Sequence, residues 1–342
     1  MPSTPLLKGL RGLLGEIPLE SIQKKPDAST VPEDLTTLSS YNLLPKHKRT
    51  IVVPGFPSVW APATEPKKIK QDAGSFVMDP NHIDLVTDRR NLRLLLAFFG
   101  GSKSALRIDV EVVRSIVLFS CWTPKGTRFV KEFAGYGHEF EKASTWKPHD
   151  VRESVMHNRV IRYVLGGVKI IVRFEVDACI GSQRDIPRTM TMSDKYHTPT
   201  SYTVLTGGYL VEPSRIVEIK TGPVGKKLET SKNVAQLWFS QTPMLCTGHY
   251  DRNGDFLEAT ERDLMREGKL AEWEKANRKK LRKLVRVIEM IAEMVRAAPP
   301  DKYALVLHRG ESVLKIHKVT NQHDKGIPED LLAMWKSEPA VT

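Results

Sequence analysis

Cysteine is scarce in this chain. Its 342 residues include three, Cys121, Cys179 and Cys246, which are widely spaced and form no CxxC. That excludes a disulfide framework and a thiolate zinc cluster, and it points to a reduced, intracellular setting, nuclear or cytoplasmic. Long apolar runs are missing as well. Residues 5–14 are apolar but broken by Lys8 and Arg11. They are too short to span a bilayer and lack a convincing cleavage site, so a short amphipathic helix is expected, with organelle targeting as a weaker alternative and no membrane partner. HExxH, GxSxG and a complete Walker A loop are absent. Gly222-Pro-Val-Gly-Lys-Lys227 looks like a phosphate loop, but its glycine spacing is wrong and no Ser or Thr follows the lysines, so it reads as a basic turn. No internal repeat is visible.

What the chain does have is positive charge: 52 Lys and Arg against 40 Asp and Glu, a net +12. This balance suits a polyanion through counterion release, although an anionic membrane surface or plain solubility would use it equally well. At 40% hydrophobic content the chain can bury one large core or two ordinary ones. One is favoured, because the motifs described below lie on separate segments and make chemical sense only if those segments converge. The expected organisation is an extended or weakly structured lead-in over 1–38, a single catalytic domain over 39–325 and a tail over 326–342.

Within that domain, Thr50 to Pro54 reads as a short strand, followed by an irregular segment carrying Trp60. Asp88 to Phe99 reads as an amphipathic helix ended by Gly100-Gly101, and 105–120 as strand. Residues 162–177 form a hairpin turning at Gly166-Gly167, 181–201 a long polar loop, 215–221 a strand, and 236–248 a strand or buried segment. A long helix is expected from Thr260 or Glu261 to Arg296, with a break at Gly268. Leu281, Leu284, Val285, Ile288, Ile291, Ala292 and Val295 form its buried stripe. Seven basic residues and no acidic one lie between Lys275 and Arg286, either a solvated face or a contact for an RNA backbone. A hairpin of 303–308 and 312–318 closes the chain.

Side chains alternate along a strand, so Val168, Ile170, Val172, Phe174 and Val176 share one face while Arg173, Glu175 and Asp177 share the other. On Arg215 to Lys220 the same alternation sets Val217 and Ile219 against Glu218 and Lys220. Taken singly, such acids are ordinary exposed charges. If the two strands are neighbours, three carboxylates and an ammonium converge, and carboxylates crowded that closely need a cation to stay ionised together. Mg²⁺ or Mn²⁺ suits oxygen ligands, and Lys220 would stabilise charge developing on phosphorus. Asp177 followed by Glu218-Ile-Lys220 is the pattern of a PD-(D/E)xK nuclease core. His138 and His249 lie near these segments and read as local hydrogen-bonding residues rather than ligands.

Taken together, several segments resemble the DXO family of RNA decapping and 5′-end quality-control nucleases, in a divergent, fungal-looking form. Ser40-Tyr-Asn-Leu-Leu44 with Thr50-Ile-Val-Val-Pro-Gly-Phe-Pro-Ser-Val-Trp60 is similar to the family's entry segment. Gly137-His-Glu-Phe-Glu141 resembles its glycine-to-glutamate motif, Glu175-Val-Asp177 its E-x-D motif and Glu218-Ile-Lys220 its E-hydrophobic-K motif. Gln241 falls where the family has an active-site glutamine, with Gln236 as the second candidate. The segment 78–87 is short beside the family pattern, and no motif places the family's pocket arginine; Tyr41 and Arg89 lie where it would be sought.

The resemblance implies a mixed α/β (α+β) fold of two twisted, mostly antiparallel or mixed sheets flanked by helices, with a pocket between them. It also implies two divalent cations, Mg²⁺ or Mn²⁺, bound by Glu141, Glu175, Asp177, Glu218 and the carbonyl of Ile219, with Lys220 and Gln241 completing the catalytic set. The implied substrate is an RNA 5′ end bearing a triphosphate, an incomplete cap or a nicotinamide cap, with 5′–3′ exonuclease action in some members. A non-catalytic RNA-binding scaffold that stabilises a 5′–3′ exoribonuclease partner is the rival from another class, and a DNA endonuclease with the same core chemistry is a third reading.

Overall fold

The hairpin around Gly166-Gly167 shows how directly the sequence builds this fold. Both glycines have positive φ, +58° and +88°, which costs an L side chain but not glycine. They join β10 (Met156–Leu165) to β11 (Val168–Glu175), paired antiparallel from Leu165↔Val168 to Asn158↔Glu175. Along β11 the expected alternation holds: Ile170, Val172 and Phe174 are buried in the core, whereas Glu175 projects from the opposite face, where Arg89 and Glu218 act on it.

The computed structural model describes residues 5–23, 25–44, 50–62, 67–68, 86–101, 104–113, 115–122, 135–181, 195–197, 203–257 and 259–320. The expected tail over 326–342, the segment 78–85 and most of the loop 181–201 lie outside these residues. Backbone pairing sorts the described strands into three sheets rather than two. One joins the chain's two ends: β1 (Leu10–Pro18), β20 (Val313–Val319), β19 (Tyr303–Leu307), β7 (Leu106–Val113) and β8 (Ile116–Cys121). The second runs β13 (Lys195–His197), β14 (Thr203–Gly208), β3 (Thr50–Gly55), β2 (Glu33–Leu44), β10, β11 and β6 (Thr87–Asp88). The third runs β5 (Lys67–Lys68), β17 (Asp255–Phe256), β16 (Met244–Tyr250), β15 (Ile216–Pro223), β12 (Ala178–Cys179), β4 (Val59–Trp60) and β9 (Thr145–Trp146), with β18 (Thr260–Asp263) beside β16. The mixed α/β class stands, with α1 (Arg89–Phe98), α2 (Gly137–Ala143), α3 (Ser231–Ser240) and α4 (Lys269–Ala297).

Several expectations are corrected. The segment read as an amphipathic helix and lead-in supplies β1, paired antiparallel with β20, and the first half of β2, paired with β10. Its prolines obscured the pattern, and the partner of β1 lies some three hundred residues away in sequence, beyond any local signal. The segment from Gln236 belongs to α3, capped by the Thr230 hydroxyl, which accepts the Asn233 N–H at 3.3 Å, and strand begins only at Met244. The long helix starts at Lys269, because 260–263 pair with β16 and Gly268, at φ +74°, turns the chain. Leu281, Leu284, Val285, Ile291 and Val295 of its stripe are fully buried, each contributing about 1.5–3 kcal/mol. Ile288 and Ala292 are half-buried.

Candidate active site

Four segments deliver the carboxylates. Glu175 ends β11, and Asp177 follows in the link to β12, where its Oδ2 accepts the Ile219 N–H at 2.7 Å. That bond ties the E-x-D segment to β15, which carries Glu218 and Lys220. Glu141 comes from α2, which packs against β15 and β16 because Gly248 leaves room: a Cβ there would stand 2.3 Å from the Phe140 ring. Phe140 in turn stacks on Phe256 at 4.5 Å between ring centroids.

Glu218 is the buried centre, 2% exposed. Its Oε2 accepts from Arg89 Nη1 at 3.0 Å, and its Oε1 accepts from both Lys220 Nζ and Gln236 Nε2. Arg89 opens α1, also donates to Ser240 Oγ at 3.2 Å, and lies over the Phe174 ring at 5.4 Å. One turn on, Arg93 Nη1 donates to Gln236 Oε1 at 3.1 Å. Asp88, just before the helix, is occupied by Arg173, at 2.9 and 3.1 Å.

These contacts split the acids into two electrostatic kinds. Burial alone would raise the pKa of Glu218, but Arg89 and Lys220 outweigh it and hold the carboxyl below its ordinary value. Lys220 is pulled down by burial, yet Glu218 and Asp177 more than compensate, so it keeps its proton. Glu141 is pushed up to about 7, by burial first and then by Glu175, with Lys147 working against the shift. Burial raises Glu175 despite Arg89, and burial with the Glu218 charge raises Asp177 well above its ordinary value despite Lys220. Glu141, Glu175 and Asp177 therefore lack the positive charge needed to hold all three ionised.

A divalent cation would supply that charge, and the donor set, carboxylates with the Ile219 carbonyl, has the hard oxygen chemistry of Mg²⁺ or Mn²⁺. The fit is one of chemistry. Among the described residues no group of three or more His, Cys, Asp or Glu side chains is arranged to hold a metal ion, and the Ile219 carbonyl accepts from Lys220 Nζ at 3.1 Å.

Glu141, Glu175, Asp177, Glu218, Ile219 and Lys220 are thus brought into one electrostatic cluster, and Gln241 is not. Gln241 is the left-handed residue that ends α3, φ +51°, and its side chain donates back to the Trp238 carbonyl. Gln236, five residues earlier on the helix, reaches Glu218 instead; reading 236–248 as a strand or buried segment hid this, because helical spacing decides which glutamine meets Glu218. Arg89 is the arginine that touches the cluster, while Tyr41 sits on β2 opposite Asn158. Arg93 and Lys147 were missed. The four-residue spacing of Arg89 and Arg93 was the available signal for Arg93; Lys147, in irregular structure, gave none. The His249 ring hydrogen-bonds the Lys226 carbonyl at 3.1 Å, the local role expected of it, and 224–227 form the expected basic turn.

Comparison with known proteins places this geometry. A family model described as Domain of unknown function (DUF8563) matches residues 80–335. No curated protein matches by sequence. Among solved structures, Rai1 of S. pombe in complex with 3′-FADP is similar at TM-score 0.60 and 16% identity, over 89% of this chain and 99% of that one. Rai1 of Candida albicans in complex with pU5-Mn²⁺ is similar at TM-score 0.62 and 14% identity, over 94% and 98%. Dxo1 of K. lactis in complex with manganese is similar at TM-score 0.50 and 10% identity, over 88% and 94%. The fold is that of the DXO-family structures, as the motifs suggested, at the low identity of a divergent chain.

Proposed function

Because the chain belongs to a family described only as a domain of unknown function, its activity has to be argued from the cleft, and we propose that it is a divalent-metal-dependent hydrolase of RNA 5′ ends. The observation that carries this reading is the convergence of Glu141, Glu175, Asp177 and Glu218 on one cleft with Lys220 and Arg89. Similar structures bind 3′-FADP or pU5 with Mn²⁺, ligands that share a phosphorylated nucleotide end. In this reading 39–325 is the catalytic unit, reinforced by β1 and the first half of β2, and the acids with Glu218-Ile-Lys220 act as a PD-(D/E)xK-like core.

Glu141, Glu175, Asp177, Glu218 and the Ile219 carbonyl would hold one or two ions. When bound, such ions neutralise phosphate charge and make water nucleophilic. The chain's own groups do the rest. Lys220 stays an ammonium and stabilises negative charge on a phosphoryl oxygen rather than abstracting a proton. Without metal Glu141 has a pKa of about 7, so an ion binding there at neutral pH would displace its proton. Arg89 and Gln236 orient Glu218, and Arg93 locks Gln236. Accepted ends are 5′ triphosphate and incomplete or nicotinamide caps, with 5′–3′ trimming as an extension, and the site of action is nuclear or cytoplasmic RNA quality control. Among the described residues no helix is long and apolar enough to cross a membrane.

A second reading, an RNA-binding scaffold for a 5′–3′ exoribonuclease, is favoured by one observation: both oxygens of Glu218 are already engaged by Arg89, Lys220 and Gln236. The test incubates matched RNAs bearing 5′ triphosphate, 5′ monophosphate, unmethylated cap or nicotinamide cap with Mn²⁺ or chelator, beside Glu218→Ala. Metal-dependent release that is lost in the variant supports the hydrolase. RNA binding without release from any substrate supports the scaffold.

A further inference from the structure

The basic run of α4 divides into two kinds of residue. Arg278 is paired with Glu274 at 3.2 Å, Arg282 Nε donates to the Ala28 carbonyl at 3.2 Å, and Arg286 reaches Glu289 and Glu293 at 3.5 and 3.1 Å. All three arginines serve the fold. Lys275, Lys279, Lys280 and Lys283 make no ion pair among the described residues, and the nearby Glu272 is taken up by Lys269 at 2.9 Å. At 3.6 residues per turn, Lys279, Lys280 and Lys283 fall on the opposite flank from Arg278 and Arg282.

That flank faces α1. A Cβ on Gly100, just past the end of α1, would stand 3.7 Å from Lys280 Nζ. Along α1 the solvent-facing row is Arg90, Arg93, Ala97 and Gly100, with Arg90, Ala97 and Gly100 exposed and Arg93 half-buried. Its first turn touches the cleft, where Arg89 holds Glu218 and Arg93 holds Gln236. Between the arginines and Lys280 the floor is small side chains, and α1 contains no acid. Ten residues of helix span about 15 Å, so positive charge continues from the cleft along α1 and onto α4.

We propose that this row, Arg90 and Arg93 of α1 followed by Lys280, Lys279 and Lys283 of α4, binds the phosphate backbone of the RNA strand behind its 5′ end. The proposal rests on reading the cleft as a 5′-end site, and it adds that the protein takes ends carried on a chain rather than free dinucleotides. No Asn, Gln, Asp or Glu lies on the row to read base edges, so binding is independent of sequence. Each phosphate contact steepens the salt dependence of single-strand binding by about 0.7 in log–log slope. Removing three lysines lowers the slope by about 2, so over a fourfold rise in salt the variant loses about 20-fold less affinity than the parent.

The test measures binding of a 3′-labelled 5′-monophosphate RNA of roughly 15 nucleotides, and of a 5′-monophosphate dinucleotide, by fluorescence anisotropy across a salt series in chelator. Parent protein is compared with Lys279→Ala/Lys280→Ala/Lys283→Ala and with the corresponding triple Arg variant, with thermal melting as a control for folding. The expected result is weaker, flatter binding of the long RNA by the Ala variant, retention by the Arg variant and no change for the dinucleotide. Unchanged long-RNA binding by the Ala variant overturns the proposal, as does equal loss on both ligands. So does loss of binding to anionic phosphatidylserine vesicles with RNA binding intact, which would make the row a membrane contact. Hydrolysis is measured separately on the same proteins. Its absence with the expected binding pattern sinks the catalytic reading alone, and its presence with unchanged binding sinks this surface alone.

Discussion

Arg89→Met removes the guanidinium that neutralises Glu218, the most buried acid among the described residues, while keeping an unbranched side chain of similar length. Arg89 and Glu218 side chains are 11% and 3% exposed, so their contact is little screened. Breaking a buried pair by deleting one partner costs about 3–5 kcal/mol, because the remaining charge stays desolvated. Here Lys220 and Gln236 still hold the other oxygen of Glu218, which lowers the expected loss to about 2–3 kcal/mol. The pKa of Glu218 is depressed, so this stabilisation is fully present above the unfolded carboxylate value and is lost only as pH falls through the lower folded value. The loss on mutation should therefore be constant between pH 6 and 9, as measured by urea unfolding with an unchanged m value. Adding Glu218→Gln should return about 1–2 kcal/mol, since it removes the stranded charge. A single variant within about 0.5 kcal/mol of the parent, the range of ordinary surface substitutions, or a double variant equal to the sum of the singles, would refute the reasoning.

Other expectations follow from the same geometry. The pKa of Glu141 is raised to about 7, so ionising it destabilises the metal-free protein: stability falls as pH rises from the unfolded value near 4.5 through 7, by up to about 3 kcal/mol. Glu141→Gln in chelator should flatten that fall and raise the melting temperature at pH 8 by a few degrees, about 3–5 °C; a lower melting temperature there would contradict it. Gln236→Ala should cut turnover at least about tenfold, as expected when a buried carboxylate loses an orienting donor, whereas Gln241→Gly should leave turnover unchanged and suit the left-handed backbone at that position. Equal kinetic loss in both would restore Gln241 to the site. Deleting residues 1–18 removes β1 and leaves β20 as an open sheet edge. Light scattering and circular dichroism should show aggregation or unfolding, and a soluble, cooperatively folded truncation would show that β1 is dispensable.

Strand alternation is a local rule, so Glu175 could be set apart from Val172 and Phe174 in β11 whatever lies nearby, whereas Glu141, on helix α2, was found only through the motif resemblance and Glu218 is buried along with Val217 and Ile219 on β15. The hairpin at Gly166-Gly167, helix α1 and the buried stripe of α4 were legible for the same reason, since each is set by side-chain period and backbone preference within a short window. Tertiary structure alone decided which groups meet. It paired β1 with β20 and placed Arg89 on Glu218, 129 residues apart. It chose Gln236 over Gln241, because one turns inward on α3 while the other ends it. It also divided the basic run of α4 into arginines bonded to the fold and lysines left facing α1. Charge and period act within a few residues, whereas compensation of a buried carboxylate depends on which distant segment packs over it, and only the folded chain fixes that.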